Sequence, residues 1–202
     1  MTGATTDTRE RVIAAATVAF ADRGVAGTSL DDLARSLGVT KQTVLYHFGS
    51  KGRLVTEVLA SGAQELQAVL VEASAQSSPG WDRIETVVRA AFGLAVARPE
   101  LLGLLRELSR LGPDHSQPVL ARLQPLVDAA VAELEAGMAD GRFRRSDPRL
   151  VLVSAYAAVT GVVTDGEVLR AVGVTLDLRV AARLRRTVLD FLRAALVPPP
   201  TP

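Results

Sequence analysis

Two helix-sized segments joined by a single glycine, SLDDLARSLGVTKQTVLYHF at positions 29–48, restrict this chain more than any other feature. Ser29 followed three residues later by Asp32 resembles a capping box, with the aspartate in place of the usual Glu or Gln. Leu30, Leu33, Ala34 and Leu37 then form a short apolar stripe. Gly38 ends that helix and permits a left-handed turn, and Thr40 caps a second helix running to about His47. Upstream, Val12, Ala15, Ala16, Ala19 and Phe20 share one face of a first helix, capped by Asp7 or Thr8 and stopped by Gly24. Ser50 caps a long fourth helix. Two short helices on a tight glycine turn, clamped by a preceding helix, make a helix-turn-helix. In that geometry the second short helix enters a DNA groove with its N-terminal side chains at the base edges.

The rest of the 202 residues points the same way. Ala, Leu and Val dominate a 48% hydrophobic fraction with only 4% aromatic residues, which favours an all-α fold. Prolines and the linker AQSSPG (75–80) divide the C-terminal portion into helices expected at 81–97, 100–111, 117–139, 148–164 and 176–196. About nine helices result, with DGEVLRAVGV (165–174) as a loop or an irregular helical extension. The domain reading is a three-helix DNA-binding domain at 8–54, a helical ligand-binding and dimerisation domain at 55–197, and a proline-rich disordered tail at 198–202.

Charge distribution is more informative than the net charge of +1. Between Leu33 and Thr56 stand Arg35, Lys41, Lys51 and Arg53 with no Asp or Glu, a local +4 that reads as an electrostatic footprint. Lys41 is suited to guanine O6 or N7 and Gln42 to a bidentate contact with adenine. Thr43, beside the cap Thr40, fits a thymine methyl or a phosphate. Tyr46, His47 and Lys51 lie towards the far end and fit the DNA backbone, Lys51 together with the amides of its helix N-terminus. Val44, Leu45 and Phe48 read better as core.

The ordered pieces in AFADRGVAGTSLDDLARSLGVTKQTVLYHFGSKGRLV resemble the N-terminal domain of TetR-family (tetracycline-repressor-like) transcriptional regulators. They are Phe-x-x-x-Gly, Thr-Ser, Leu-Ala, Gly-Val-Thr and His-Phe-x-Ser-Lys-x-x-Leu, and they cover about a quarter of the chain. The resemblance adds Thr28 and Ser29 to the DNA-contact candidates Thr40, Lys41, Gln42, Thr43, Tyr46, His47 and Lys51. One departure stands out: the family usually has tyrosine where this chain has Leu45, and here the aromatic is Tyr46.

The resemblance further implies a homodimer on a palindromic operator in double-stranded DNA, and a repressor released by a small apolar effector. A dimer places its readers ~34–36 Å apart. The small residues of LVLVSAYAAVTGVV (150–163) and the apolar stripe of the last helix suit either a core or a four-helix dimer interface. Leu105, Leu108, His115, Leu123, Val127 and Thr160 are the ligand-lining candidates, while Trp81 reads as a packing anchor.

Other classes fare worse. With two histidines, no cysteine and no phosphate-binding glycine loop, the chain offers no convergent catalytic or metal set, and no enzyme or cofactor is expected. The N-terminus lacks the apolar core of a signal peptide, and the longest uncharged run is short for a membrane span, so a cytoplasmic protein without a membrane partner is expected. The alternatives kept open are a helical protein-interaction module and a DNA-binding activator without a ligand.

Overall fold

The structure, a computed structural model, describes residues 2–199 apart from Ser109, Asp165 and Leu176. It leaves aside the side chains of residues 2–6, 102, 105, 106, 162–164, 166 and 167. The described residues form ten helices and no strand. These are α1 (Thr2–Arg23), α2 (Leu30–Leu37), α3 (Lys41–Phe48), α4 (Lys51–Ala75), α5 (Trp81–Ala97), α6 (Pro99–Leu108), α7 (Pro113–Ala139), α8 (Pro148–Thr164), α9 (Gly166–Ala171) and α10 (Leu178–Leu196).

Several boundaries differ from the expectation, each for a physical reason. Helix α1 is already helical at Thr2, so Asp7 and Thr8 lie within it rather than capping it; no proline interrupts the preceding residues. Helix α7 starts at Pro113, a residue whose fixed φ and missing N–H suit the first helical position, and it runs through Pro118 and Pro125. The additional α9 is closed by N–H groups of Val172 and Val174 donating to the carbonyls of Val168 and Leu169, and it is anchored by buried Leu169. Helix α10 is capped by Asp177, whose carboxylate accepts from Val180 N at 2.7 Å. The expected tail beyond Pro199 lies outside the described residues.

The chain divides into two compact units, Met1–Glu65 with Arg98–Leu123 and Leu66–Ala97 with Gln124–Pro202. In the first, α1, α2, α3 and the start of α4 bury Val12, Ala16, Phe20, Leu33, Val44, Phe48, Leu54, Val55 and Val58. Helix α6 lies against α1: a Cβ on Gly103 would sit 2.5 Å from Ala21 Cβ, so only glycine allows this approach.

In the second unit, Val88 and Phe92 of α5 pack with Val188, Leu189 and Leu192 of α10, with Ala155 and Val159 of α8 against them. Trp81 packs on this cluster and also on that of Leu134, Met138, Phe143 and Leu196, as the expected packing anchor. Its indole donates to Glu85 Oε2 at 2.9 Å, and the Arg193 guanidinium lies over its ring. Outside these clusters α8 leaves Leu150, Val153 and Tyr156 exposed, and α10 leaves Leu178 and Phe191 exposed. Among the described residues no helix is long and apolar enough to cross a membrane.

Candidate nucleic-acid interface

The turn that carries the site is built by its caps. Ser29 Oγ accepts from Asp32 N at 3.1 Å and donates to Asp32 Oδ2 at 2.6 Å. The aspartate therefore meets the cap hydroxyl rather than reaching a backbone amide, as fits its shorter side chain. That hydrogen bond holds the Asp32 carboxyl below the usual carboxylate range, and the nearby Arg35 guanidinium acts in the same direction. Helix α2 ends at Gly38 in the left-handed conformation, φ 67°, with its N–H on the last carbonyls of the helix. Arg11 of α1 donates to Leu37 O, pinning the same end. Thr40 Oγ1 then accepts from Thr43 N at 3.1 Å and starts α3.

With both ends fixed, α3 turns Val44 and Phe48 into the core and leaves the opposite face in solvent. Lys41 and Gln42 are exposed, Thr43 and His47 are half-buried, and Tyr46 is 80% exposed. The Tyr46 and His47 rings meet edge-on at 5.4 Å. Leu45 is half-buried, so the aromatic has moved one position round the helix to a freely projecting site. The hydroxyls of Thr40 and Thr43 lie 2.9 Å apart. Lys51 opens α4 beside Ser50, whose hydroxyl accepts from Arg53 N at 3.2 Å. Among the described residues, Gln42 and Lys51 side chains have no hydrogen-bonding or ionic partner.

Thr28 requires a correction. It is only 1% exposed, and its hydroxyl lies 3.1 Å from Ala19 O and 3.0 Å from Gly24 O. Its side chain locks the turn between α1 and α2 from inside and is not presented at the surface. Ser29 is exposed, with its hydroxyl engaged in the cap.

The acid-free window is not acid-free in space. Lys41 Nζ pairs with Asp31 Oδ2 at 2.7 Å, and Arg35 pairs with Asp32. Both acids stand just outside the window, at its N-terminal edge. Two other groups lie outside the DNA-contact candidates. Arg9 lies over the Phe48 ring and pairs with Glu57 at 2.9 Å, tying α1 to α3 and α4. Glu107 of α6, buried at 8% exposure, accepts from Val25 N at 2.9 Å. Periodicity points to neither.

The ligand-lining candidates are spread between the two units. Leu108, His115 and Leu123 fall in the first; Val127 and Thr160 fall in the second. Leu108 and Leu123 are half-buried, while Val127 is exposed. The side chain of Leu105 lies outside the described residues. His115 shares a 3.1 Å hydrogen bond with Thr56 Oγ1, and Thr160 Oγ1 donates to Tyr156 O at 2.8 Å. An open cleft of about 420 Å³ is lined by Arg144, Asp190, Arg193, Ala194 and Val197–Pro199, sharing no residue with that set. Among the described residues no group of His, Cys, Asp and Glu is arranged to hold a metal ion.

Comparison with known proteins bears on the same segment. Residues 12–58 match the family described as bacterial regulatory proteins, tetR family. HTH-type transcriptional regulator SrpR of Pseudomonas putida is 41% identical over 61 residues, 30% of this chain and 29% of that protein. The chain spans less than half the length of the curated relatives it matches at such identity. A regulator from Saccharomonospora viridis, solved with choline, superposes with a TM-score of 0.81 at 18% identity, covering 96% of this chain and 100% of that one. AibR, solved with isovaleryl coenzyme A and operator DNA, gives 0.77 at 18% identity, covering 91% and 96%. At these identities the two structures speak for the fold alone.

Proposed function

We propose that this chain, which belongs to the tetR family of bacterial regulatory proteins, is a dimeric transcriptional repressor that releases a palindromic operator when a small molecule binds. The observation that carries the reading is α3: capped at Thr40, buried through Val44 and Phe48, and presenting Lys41, Gln42, Thr43 and Tyr46 outward. Lys41 and Gln42 read base edges, while Thr43, Tyr46, His47 and Lys51 hold phosphates, with Ser29 and Thr40 fixing the helix starts. Lys51 and the first amides of α4 meet one phosphate together.

A single reader of eight residues covers too little DNA for tight recognition, so a second copy is required. The exposed Leu150, Val153 and Tyr156 of α8 and Phe191 of α10 are large apolar groups of the kind an interface covers. A second copy is their proposed occupant, giving a four-helix contact.

Two proteins of similar fold were solved with choline and with isovaleryl coenzyme A, and by analogy a small-molecule effector is proposed for this chain. Of the candidates, Leu105, Leu108, His115 and Leu123 share the first unit and are the proposed lining. The effector acts by binding more tightly to the state whose readers do not fit the operator, and that difference in affinity sets the size of the response. The protein acts on DNA in the cytoplasm and carries no catalytic role.

Binding to duplex genomic fragments, followed by fluorescence anisotropy across salt concentrations, tests the reading. Affinity should fall steeply with salt. Lys51→Ala should weaken all sequences alike and flatten the slope by about 0.9 for each phosphate left without its cation. Salt-independent binding, or none at low salt, favours the protein-interaction reading instead.

A further inference from the structure

Lys41 is held by an acid from another helix. Its Nζ lies 2.7 Å from Asp31 Oδ2, ten residues away in sequence, across the turn between α2 and α3. The side chains are 50% and 54% exposed, where an ion pair adds little to stability. A carboxylate is also an unfavourable group to hold beside a face that must approach phosphates, because like charges repel there. Stability and general DNA attraction therefore give no account of it. Position does: the pair sits at the N-terminal end of α3, beside exposed Gln42.

Resting on the DNA-binding reading above, we propose that Asp31 is a specificity-determining positioning residue that aims Lys41. An ammonium has three donors on a flexible four-carbon stem. Asp31 occupies one of them and removes much of the stem's freedom, leaving two protons for acceptors on a guanine edge. The same carboxylate offsets the Lys41 charge, so DNA without a correctly placed guanine gains less from this end of the helix. Asp31 thus lowers affinity for all DNA while sharpening the choice of base at one position. The neighbouring Asp32 plays no such part, because its carboxylate is engaged by Ser29 and Arg35.

The test is selection on a random-sequence duplex library with wild type, Asp31→Asn, Lys41→Ala and the double variant, each read by sequencing and by anisotropy on selected and scrambled duplexes. Wild type should show one position per half-site whose preference Lys41→Ala abolishes, with discrimination of roughly 5- to 100-fold. Asp31→Asn should tighten binding to the scrambled duplex and reduce preference at that same position to within about threefold, leaving the position read by Gln42 unchanged. With Lys41→Ala already present, Asp31→Asn should still tighten scrambled binding and change no base preference. Asp31→Glu should retain part of the discrimination, and thermal unfolding should match wild type throughout. Uniform tightening by Asp31→Asn with its base preferences intact would overturn the proposal, as would the absence of any position sensitive to Lys41→Ala. Either result leaves the DNA-binding reading standing if a site sensitive to Gln42→Ala is enriched. If wild type enriches no site, that reading falls, and this inference with it.

Discussion

Glu107 and Val25 are 82 positions apart, yet the carboxylate of one accepts the backbone N–H of the other at 2.9 Å. The acid comes from α6, and the amide lies in the turn leaving α1. Arg110 donates to the second carboxylate oxygen, also at 2.9 Å. A backbone donor in that turn thus has a buried charged acceptor rather than water. Glu107→Ala should cost roughly 1.5–3 kcal/mol in chemical denaturation, the range for a hydrogen bond to a charged group. Glu107→Gln keeps an acceptor for the amide and should lose less. Equal losses in both would assign the effect to the ion pair with Arg110.

Gly103 lies one helical turn before Glu107 on the same face of α6. Because a Cβ there would fall 2.5 Å from Ala21 Cβ and 2.7 Å from Ala21 Cα, Gly103→Ala has to push α6 away from α1. Destabilisation of about 1–3 kcal/mol is expected despite the better helix propensity of alanine. A stabilised variant would mean that the two helices separate freely.

The Asp32 carboxyl sits below its usual range in the folded chain because Ser29 donates to it, aided by the Arg35 guanidinium. A depressed value means that the carboxylate favours folding at pH above the ordinary carboxylate range, and that this contribution is lost as pH falls through the folded value. Ser29→Ala should return Asp32 towards ordinary titration, observable by carboxyl-carbon NMR. The stability gap between wild type and variant should then narrow as pH falls through the ordinary carboxylate range and below it, leaving only the cap's pH-independent part. A gap that widens on acidification would reverse the sign and contradict the assignment.

Tyr156 and Phe191 are 57% and 62% exposed on α8 and α10. Wild type should sediment as a dimer at micromolar concentration. Tyr156→Asp and Phe191→Asp should shift it towards monomer, since each places a charge where an apolar group would be covered. DNA affinity should drop in parallel, because one reader holds a half-site weakly. A monomeric wild type would remove the proposed interface.

Legibility in the sequence tracks the range of the interactions involved. Ser29, Gly38, Thr40 and Ser50 act on groups within four positions, so residue type and spacing mark the boundaries of α2, α3 and α4. The burial of Val44 and Phe48 follows from the near-four-residue period of a helix. For α9 the sequence leaves loop and irregular helix undecided, because its short span shows too little periodicity and the single buried Leu169 carries the packing. The burial of Thr28 is not legible in the sequence, because its hydroxyl serves Ala19 and Gly24, carbonyls brought to it only once the turn has formed. The pairs Asp31–Lys41, Arg9–Glu57 and Glu107–Val25 join different elements, and no local pattern encodes them.

The most direct test of the account is affinity selection of the purified chain on fragments of its own genome, read by sequencing, with Gln42→Ala and Lys41→Ala beside it. The account predicts one enriched palindrome with two half-sites, weakened in each variant by roughly 1–3 kcal/mol at the position that side chain reads. Fragments bound without any shared motif, or a palindrome untouched by both substitutions, would contradict α3 as the reader.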